Sequence, residues 1–339
     1  MNTILSTLYF AFNAVFPILA LILLGYCARQ KGMLTQEFIK PANRFNFRFG
    51  LSCLMFTNIY KLEGIGEIPL NIVFFVLFTV MVLTAAGFLI AHTCTGVRAR
   101  RGVLIQAVFR SNFAIIGLPV ATALAGSAGS ALASALQAPT VIYYNFAAIL
   151  CLTLYSDVKG AFSLKRVLRS IASNPLIFGL VTGLISLAVR AILPCNADGS
   201  PVFSLERDLS WLYTTISYLA RMATPLALIV LGTQFNFTAV RGMKKELIAG
   251  VTARLIGAPV IGFALAFAAA SMGIITLDAT TIAVLIALFG SPMAVASVVM
   301  ASEMNADDIL AGQLVVWTTL LSMASVFVQI VIFRTAGLL

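Results

Sequence analysis

Long runs of apolar residues, separated by short polar loops, cover the whole chain. Runs of about 18 or more apolar residues predict membrane-spanning helices, because roughly 20 helical residues cross the hydrocarbon core of a bilayer. The runs are continuous rather than alternating, which disfavours a transmembrane β-barrel. We predict an all-α polytopic membrane protein with ten spans, at residues 8–28, 41–60, 69–91, 102–124, 131–155, 173–193, 211–235, 247–270, 279–301 and 310–333.

Two of these apolar runs, spans four and nine, are interrupted. Span four contains SNFAIIGLP and span nine contains ALFGSPMAV. A proline inside a helix removes one N–H donor and frees a carbonyl one turn earlier, and lipid cannot satisfy these groups. Broken spans at matching positions of two halves indicate the binding site of a secondary transporter. The candidate substrate contacts in the two breaks are Asn112, Gly117, Pro119, Gly290, Ser291 and Pro292.

Basic residues are concentrated in the odd-numbered loops. Loops one, three, five and seven hold 13 Lys and Arg residues, whereas the even-numbered loops, counted with Arg190 at the end of span six, hold three. Because positive loops remain on the cytoplasmic side and contact anionic lipid, we expect the odd loops in the cytoplasm. Both termini are then outside, and the expected location is the cytoplasmic (inner) membrane of a bacterium.

The most basic loop divides the chain into halves of five spans each. We predict a first five-helix repeat at 1–155, a basic cytoplasmic linker at 156–172 and a second five-helix repeat at 173–339. An odd number of spans per half means that the second half is inverted relative to the first. The expected architecture is therefore a 5+5 inverted repeat.

Asn112 lies near the middle of span four. Its amide can donate a hydrogen bond to a carboxylate without the cost of a buried charge, and half-helix N-termini nearby add partial positive charge. The alternative is a proline kink at which the asparagine bonds to a neighbouring helix. We favour substrate binding because the break occurs in a pair.

Four arginines lie well inside predicted spans, although charged residues there are rare and face the bundle interior or a water-filled cavity. Arg221, closest to mid-span, is a candidate for substrate binding or gating, and Arg48 and Arg110 are further candidates. Arg110 and Asn112 would lie about 200° apart on a regular helix, so they share a face only if the helix unwinds. Arg110 alternatively extends toward the cytoplasmic surface. Arg254, in the cytoplasmic third of its span, is the weakest candidate.

The polar residues of the spans and the positions of the acidic residues limit the modes of coupling. We include Asn145 of span five among the candidate substrate contacts, although ordinary bonding between helices also explains it. All 12 Asp and Glu residues lie in loops or at span ends, which disfavours proton coupling through a buried carboxylate. Facilitated diffusion, or coupling through backbone and amide oxygens, stays open. The latter includes a sodium site made of carbonyl oxygens at the two crossings.

Composition excludes several other classes of protein. The chain is 60% hydrophobic and 10% charged, with a mean hydropathy of +1.02. Its net charge of +10 comes from short loops, so we expect no nucleic-acid partner. One histidine and no paired cysteine motif predict no metal site, and no cofactor motif is visible. Without a metalloprotease, phosphate-loop or Ser/His/Asp pattern, we predict that the protein is not an enzyme.

The ordered motifs of the chain resemble those of the auxin efflux carrier family, within the superfamily of bile-acid and auxin transporters. SNFAIIGLPVATALAG resembles the fourth span of that family, ATPLALIVLGTQF the seventh and AGQLVVWTTLLSMASVFVQ the tenth. SPMAVASVVMASEMNAD resembles the ninth span with its acidic turn, and FPILALILLGYCARQKGML the opening span and loop. Ser52, where the family usually has proline, and Arg110 depart from the family pattern.

The resemblance implies a fold and a function. The fold is a ten-helix inverted repeat with crossed discontinuous helices 4 and 9, a scaffold of spans 1, 2, 6 and 7, and a transport domain of spans 3–5 and 8–10. The domain would move as an elevator, commonly in a homodimer, and hold the substrate carboxylate near Asn112. The implied substrate is a small organic anion, auxin-like or of the malate and malonate class. The alternatives are a sodium-coupled symporter of the bile-acid type and a membrane sensor that does not transport.

Overall fold

The computed structural model describes residues 2–61, 69–155, 175–192, 202–233 and 242–339. Within these ranges the regular structure is helical, and the strand-like pairing is one isolated bridge. The predicted linker at 156–172 lies outside the described residues.

Fourteen α-helices account for most of the described chain. Three π-helical turns, at Asn46–Gly50, Phe113–Gly117 and Ala253–Gly257, each lead directly into the α-helix that follows. The helices, labelled in chain order, are α1 Asn2–Gln30, α2 Gln36–Phe45, α3 Leu51–Tyr60, α4 Leu70–Cys94, α5 Arg98–Phe109, α6 Leu118–Tyr155, α7 Pro175–Ile192, α8 Leu205–Asp208, α9 Ser210–Gly232, α10 Lys244–Thr252, α11 Ala258–Ser271, α12 Ala279–Gly290, α13 Ala296–Glu303 and α14 Asp308–Thr335.

Six helical segments among the described residues are long and apolar enough to cross a membrane. This confirms the prediction of an all-α, multi-pass membrane protein. The count of ten spans and the inverted repeat stay predictions. The six segments are Tyr9–Gln30, Leu70–Cys94, Phe113–Tyr155, Ser210–Gly232, Lys244–Ser271 and Asp308–Thr335.

The segment Phe113–Tyr155 folds back on itself. Its 43 residues would extend about 65 Å as one straight helix, roughly twice the thickness of the hydrocarbon core. The helical dihedrals break at Ala125 (φ −130°, ψ 17°) and Gly126 (φ 59°, ψ −139°). A Cβ on Gly129 would overlap the carbonyl oxygen of Ala121, yet residues eight apart on a straight helix are about 12 Å apart. The segment is therefore a helical hairpin with its turn at 125–126.

The helices pack in two neighbouring groups. In one, α1 packs against α9, and α3 packs against α7 and α9. In the other, α5 packs between α4 and α6, and α12 packs against α6, α11 and α14. The first group contains helices of the predicted scaffold spans. Which group moves relative to the other stays a prediction.

Candidate binding site at the helix crossing

The two interrupted runs meet where each loses its helical backbone. The backbone N–H of Asn112 donates to the carbonyl of Pro292 at 2.7 Å, and the N–H of Ala294 donates to the carbonyl of Arg110 at 2.9 Å. Ser111 and Met293 form an antiparallel bridge between these bonds. The two unwound segments thus satisfy part of each other's main chain, which explains how irregular backbone is tolerated inside the bundle.

Four half-helix ends converge on this bridge. The helices α5 and α12 end there, while α13 and the helical segment from Phe113 begin there. The first turn of a helix presents unpaired N–H groups with partial positive charge, and the last turn presents unpaired carbonyls with partial negative charge. The crossing therefore has a positive side and a negative side.

A cavity of about 240 Å³ lies against the positive side. The cavity is bordered by the first turns of the two half-helices that begin at Phe113 and at Ala296. The second arm of the α6 hairpin forms one of its walls. The opposite wall comes from α9 and from the segment around Phe47, which belong to the other helix group. Its full lining is Asn43, Phe47, Arg110, Ser111, Asn112, Phe113, Ala114, Ile115, Gln137, Val141, Tyr144, Asn145, Ala227, Val230, Leu231, Ala294, Val295 and Ala296.

Arg110 supplies a full positive charge to this cavity. The residue is 4% exposed, and its Nη2 donates to the amide oxygen of Asn145 at 2.8 Å. Its Nη1 donates to the amide oxygen of Gln106 at 3.1 Å and to the sulfur of Met300. No carboxylate of the described residues pairs with this guanidinium. The unwound backbone brings Arg110 and Asn112 to one cavity, which a regular helix would not do.

Two amide side chains on the cavity wall have unused hydrogen-bonding groups. Among the residues that the structure describes, the Nδ2 of Asn112 has no hydrogen-bond partner, and neither the Nε2 nor the Oε1 of Gln137 has one. Both residues are buried, at 4% and 1% exposure. A buried polar group without a partner costs about 1–3 kcal/mol, so such groups call for an explanation in each case. A polar ligand in the cavity would satisfy them.

Arg254 lies on the negative side of the crossing and is 1% exposed. Its Nε donates to the carbonyl of Ser291 and its Nη1 to that of Val108, both at 2.8 Å. Its Nη2 donates to the carbonyls of Leu288 and Phe289, both at 2.9 Å. The guanidinium therefore caps the ends of α5 and α12 together. Its partners come from distant parts of the chain, so the sequence signal was only a charged residue within an apolar span.

The other predicted contacts in the breaks shape the crossing rather than line the cavity. A Cβ on Gly117 would lie 3.0 Å from the carbonyl oxygen of Ala287, and one on Gly290 would lie 2.8 Å from a methyl of Val326. Ser291, which is fully buried, bonds through its hydroxyl to its own helix. Together with the carbonyl of Pro292, which accepts from Asn112, these residues fix how closely the two broken helices cross.

Arg48, Arg221 and Pro119 lie away from this cavity. Pro119 and Arg221 line a second cavity of about 430 Å³, which is bordered by α1, α9 and the first arm of the α6 hairpin. This cavity contacts α9 from Ala220 to Leu228, and the first cavity contacts the same helix from Ala227 to Leu231, so the second cavity begins about two turns earlier along α9 and the two meet near Ala227. Arg48 is exposed on the outside of the bundle, beside a groove that it shares with Arg44.

Comparisons with known proteins indicate membrane transport. A family model described as "Membrane transport protein" matches residues 10–330 of the chain. A protein of Methanothermobacter thermautotrophicus, named an uncharacterized transporter, is similar over nearly its whole length. It is 25% identical over 336 residues, which cover 92% of this chain and 95% of the relative.

Proposed function

The chain belongs to the membrane transport protein family, whose members are auxin efflux carrier-like, and on that premise we propose that this transporter carries a small organic anion, a mono- or dicarboxylate. The anion would bind in the 240 Å³ cavity at the helix crossing. The observation that carries the proposal is the set of donors that line the cavity: a buried guanidinium that pairs with no carboxylate of the described residues, beside two amides with unused groups.

The electrostatics of the cavity support an anion rather than a cation or a neutral solute. Arg110 contributes a full charge, and the two half-helix N-termini contribute partial positive charges directed at the same space. A carboxylate accepts hydrogen bonds only, which matches the N–H donors of Arg110, Asn112 and Gln137. An ammonium group would instead meet like charge, so we expect it to be rejected.

The size and apolar lining of the cavity support a small solute. Ligand pockets span about 300–1,000 Å³, and this cavity lies just below that range. Val141, on the same helical arm as Gln137, and Val230 and Leu231 of α9 provide apolar surface in the lining. A short carbon chain carrying one or two carboxylates suits this combination.

The position of the cavity supports alternating access. It lies between the group that contains α9 and the group that contains α5 and α12, so relative motion of the groups would open it. The second cavity, reached earlier along α9, would then belong to the path on the other side of the membrane. With the topology expected from the loop charges, the first cavity faces the cytoplasm. The elevator motion, the homodimer and the bacterial inner membrane belong to this proposal.

A ligand screen followed by a flux assay tests the function. Purified protein is heated with malonate, malate or indole-3-acetate, and in parallel with malonamide as a neutral analogue. We expect at least one carboxylate, but not the amide, to raise the melting temperature. The same radiolabelled carboxylate should then show saturable counterflow in proteoliposomes. Stabilisation without flux would favour a sensor, and equal stabilisation by the amide would contradict an anion site.

A further inference from the structure

The carbonyl oxygens around Arg254 form a set that would otherwise suit a cation. Four main-chain oxygens, from Val108, Leu288, Phe289 and Ser291, lie 2.8–2.9 Å from the nitrogens of one guanidinium. They belong to the C-terminal ends of two half-helices, where the helix dipoles place partial negative charge. In transporters with broken helices, such carbonyls and helix ends coordinate the coupling ion.

We propose that the side chain of Arg254 replaces a coupling cation. The positive charge that balances the negative side of the crossing is covalently attached to the protein, so it neither enters nor leaves during transport. Two consequences follow. The wild-type protein binds no small monovalent cation at the crossing, and removing the guanidinium creates a site for one. This inference does not depend on which solute the 240 Å³ cavity takes.

The hydrogen-bond geometry supports a permanent role for this charge. A guanidinium has five N–H donors, and four of the bonds it makes here are to carbonyls at the crossing. A charged side chain in the interior of a membrane protein is costly unless its donors are satisfied, and these acceptors satisfy them. No carboxylate of the described residues bonds to Arg254, so its charge remains available to the helix ends.

Arg110 provides an internal comparison. It is also buried, but its donors reach side-chain atoms of Gln106, Asn145 and Met300 rather than a cluster of carbonyls. It also borders the cavity, whereas Arg254 does not. Of the two buried arginines at the crossing, only the surroundings of Arg254 resemble a cation site.

The test is thermal unfolding of Arg254→Ala in detergent, at equal ionic strength, in choline chloride, sodium chloride or potassium chloride. We expect the variant to melt several degrees below wild type in choline, and to recover at least half of that loss in sodium or potassium with saturable dependence. Millimolar methylguanidinium chloride should restore it as well. The wild-type melting temperature should be the same in all three salts. Arg254→Lys, which keeps the charge, should show little dependence on the cation.

The alternative results overturn the proposal. A variant that melts equally in choline, sodium, potassium and methylguanidinium would show that no cation site exists there. A wild-type protein that gains stability from sodium but not choline would contradict replacement of the ion. If folded Arg254→Ala protein can be purified only in sodium or potassium, the proposal is supported. If no folded variant can be purified in any of the salts, the proposal fails. Failure of the flux assay would leave these results intact and would count against the proposed function alone.

Discussion

Replacing Asn112 with alanine should weaken substrate binding while leaving the ligand-free protein intact. The Nδ2 of Asn112 donates no hydrogen bond to the described part of the chain, and the side chain does not cap the helical segment that it precedes. The substitution therefore removes no internal bond made by this donor. A hydrogen bond from an amide to a carboxylate contributes about 1.5–3 kcal/mol, which corresponds to an increase in the dissociation constant of about 10- to 150-fold.

Two measurements check this prediction. The dissociation constant comes from the ligand dependence of the melting temperature, and the half-saturation concentration comes from counterflow in proteoliposomes at equal protein content. Asn71→Ala is the matched control, because Asn71 lies on α4, bonds to the carbonyl of Ile274 and borders neither cavity described above. An unchanged dissociation constant for Asn112→Ala would refute the reasoning, as would a loss of folding without ligand.

Three further predictions concern the surroundings of the site. Gln137→Leu removes two buried groups that have no partner among the described residues. The ligand-free melting temperature should therefore stay the same or rise, while the affinity for the carboxylate falls. The same thermal titration measures both quantities. Arg221→Gln alters the second cavity, so counterflow should slow while the equilibrium affinity of the first cavity stays near wild type. Gly129→Ala should lower the melting temperature, because a Cβ there overlaps the carbonyl of Ala121. Gly312→Ala is the control: its Cβ meets open space, so the melting temperature should stay unchanged or rise. Equal effects of the two alanine substitutions would argue against the hairpin.

The sequence pattern predicts the helices and their interruptions well because both depend on local properties. Apolar runs set the spans, and Ser291-Pro292 places the break of span nine. In span four the helix instead breaks at Arg110–Asn112, well before Pro119, which lies inside α6. The π-helical turn that begins at Phe113 is a further local distortion, and it accompanies the unwinding that brings Arg110 and Asn112 to one cavity. A regular helical wheel separates those two residues, which is why their common orientation was open from the sequence.

Contacts between distant segments were less accessible from sequence. The role of Arg254 depends on main-chain carbonyls of α5 and α12. Every residue has such a carbonyl, so the sequence does not show which of them a side chain contacts. The predicted spans 102–124 and 131–155 already place a loop at Gly126, but the burial of Gln137 against the crossing depends on how the two arms of the hairpin pack, which residue identities do not show. Arg221 was the preferred arginine for substrate binding because it lies closest to the middle of its span. That position does not show which of the two cavities its side chain lines.

The central claim is that the guanidinium of Arg110 recognises the anion in the crossing cavity. The most direct measurement is carboxylate binding to Arg110→Gln, Arg110→Lys and Arg48→Gln by thermal titration, with folding checked by the ligand-free melting temperature. Arg48 is exposed and borders a different groove, so Arg48→Gln should bind as wild type does. Arg110→Gln should lose at least about 10-fold in affinity, since a hydrogen bond to a charged group contributes about 1.5–3 kcal/mol, and Arg110→Lys should retain part of it. Wild-type affinity in a folded Arg110→Gln variant would contradict the claim.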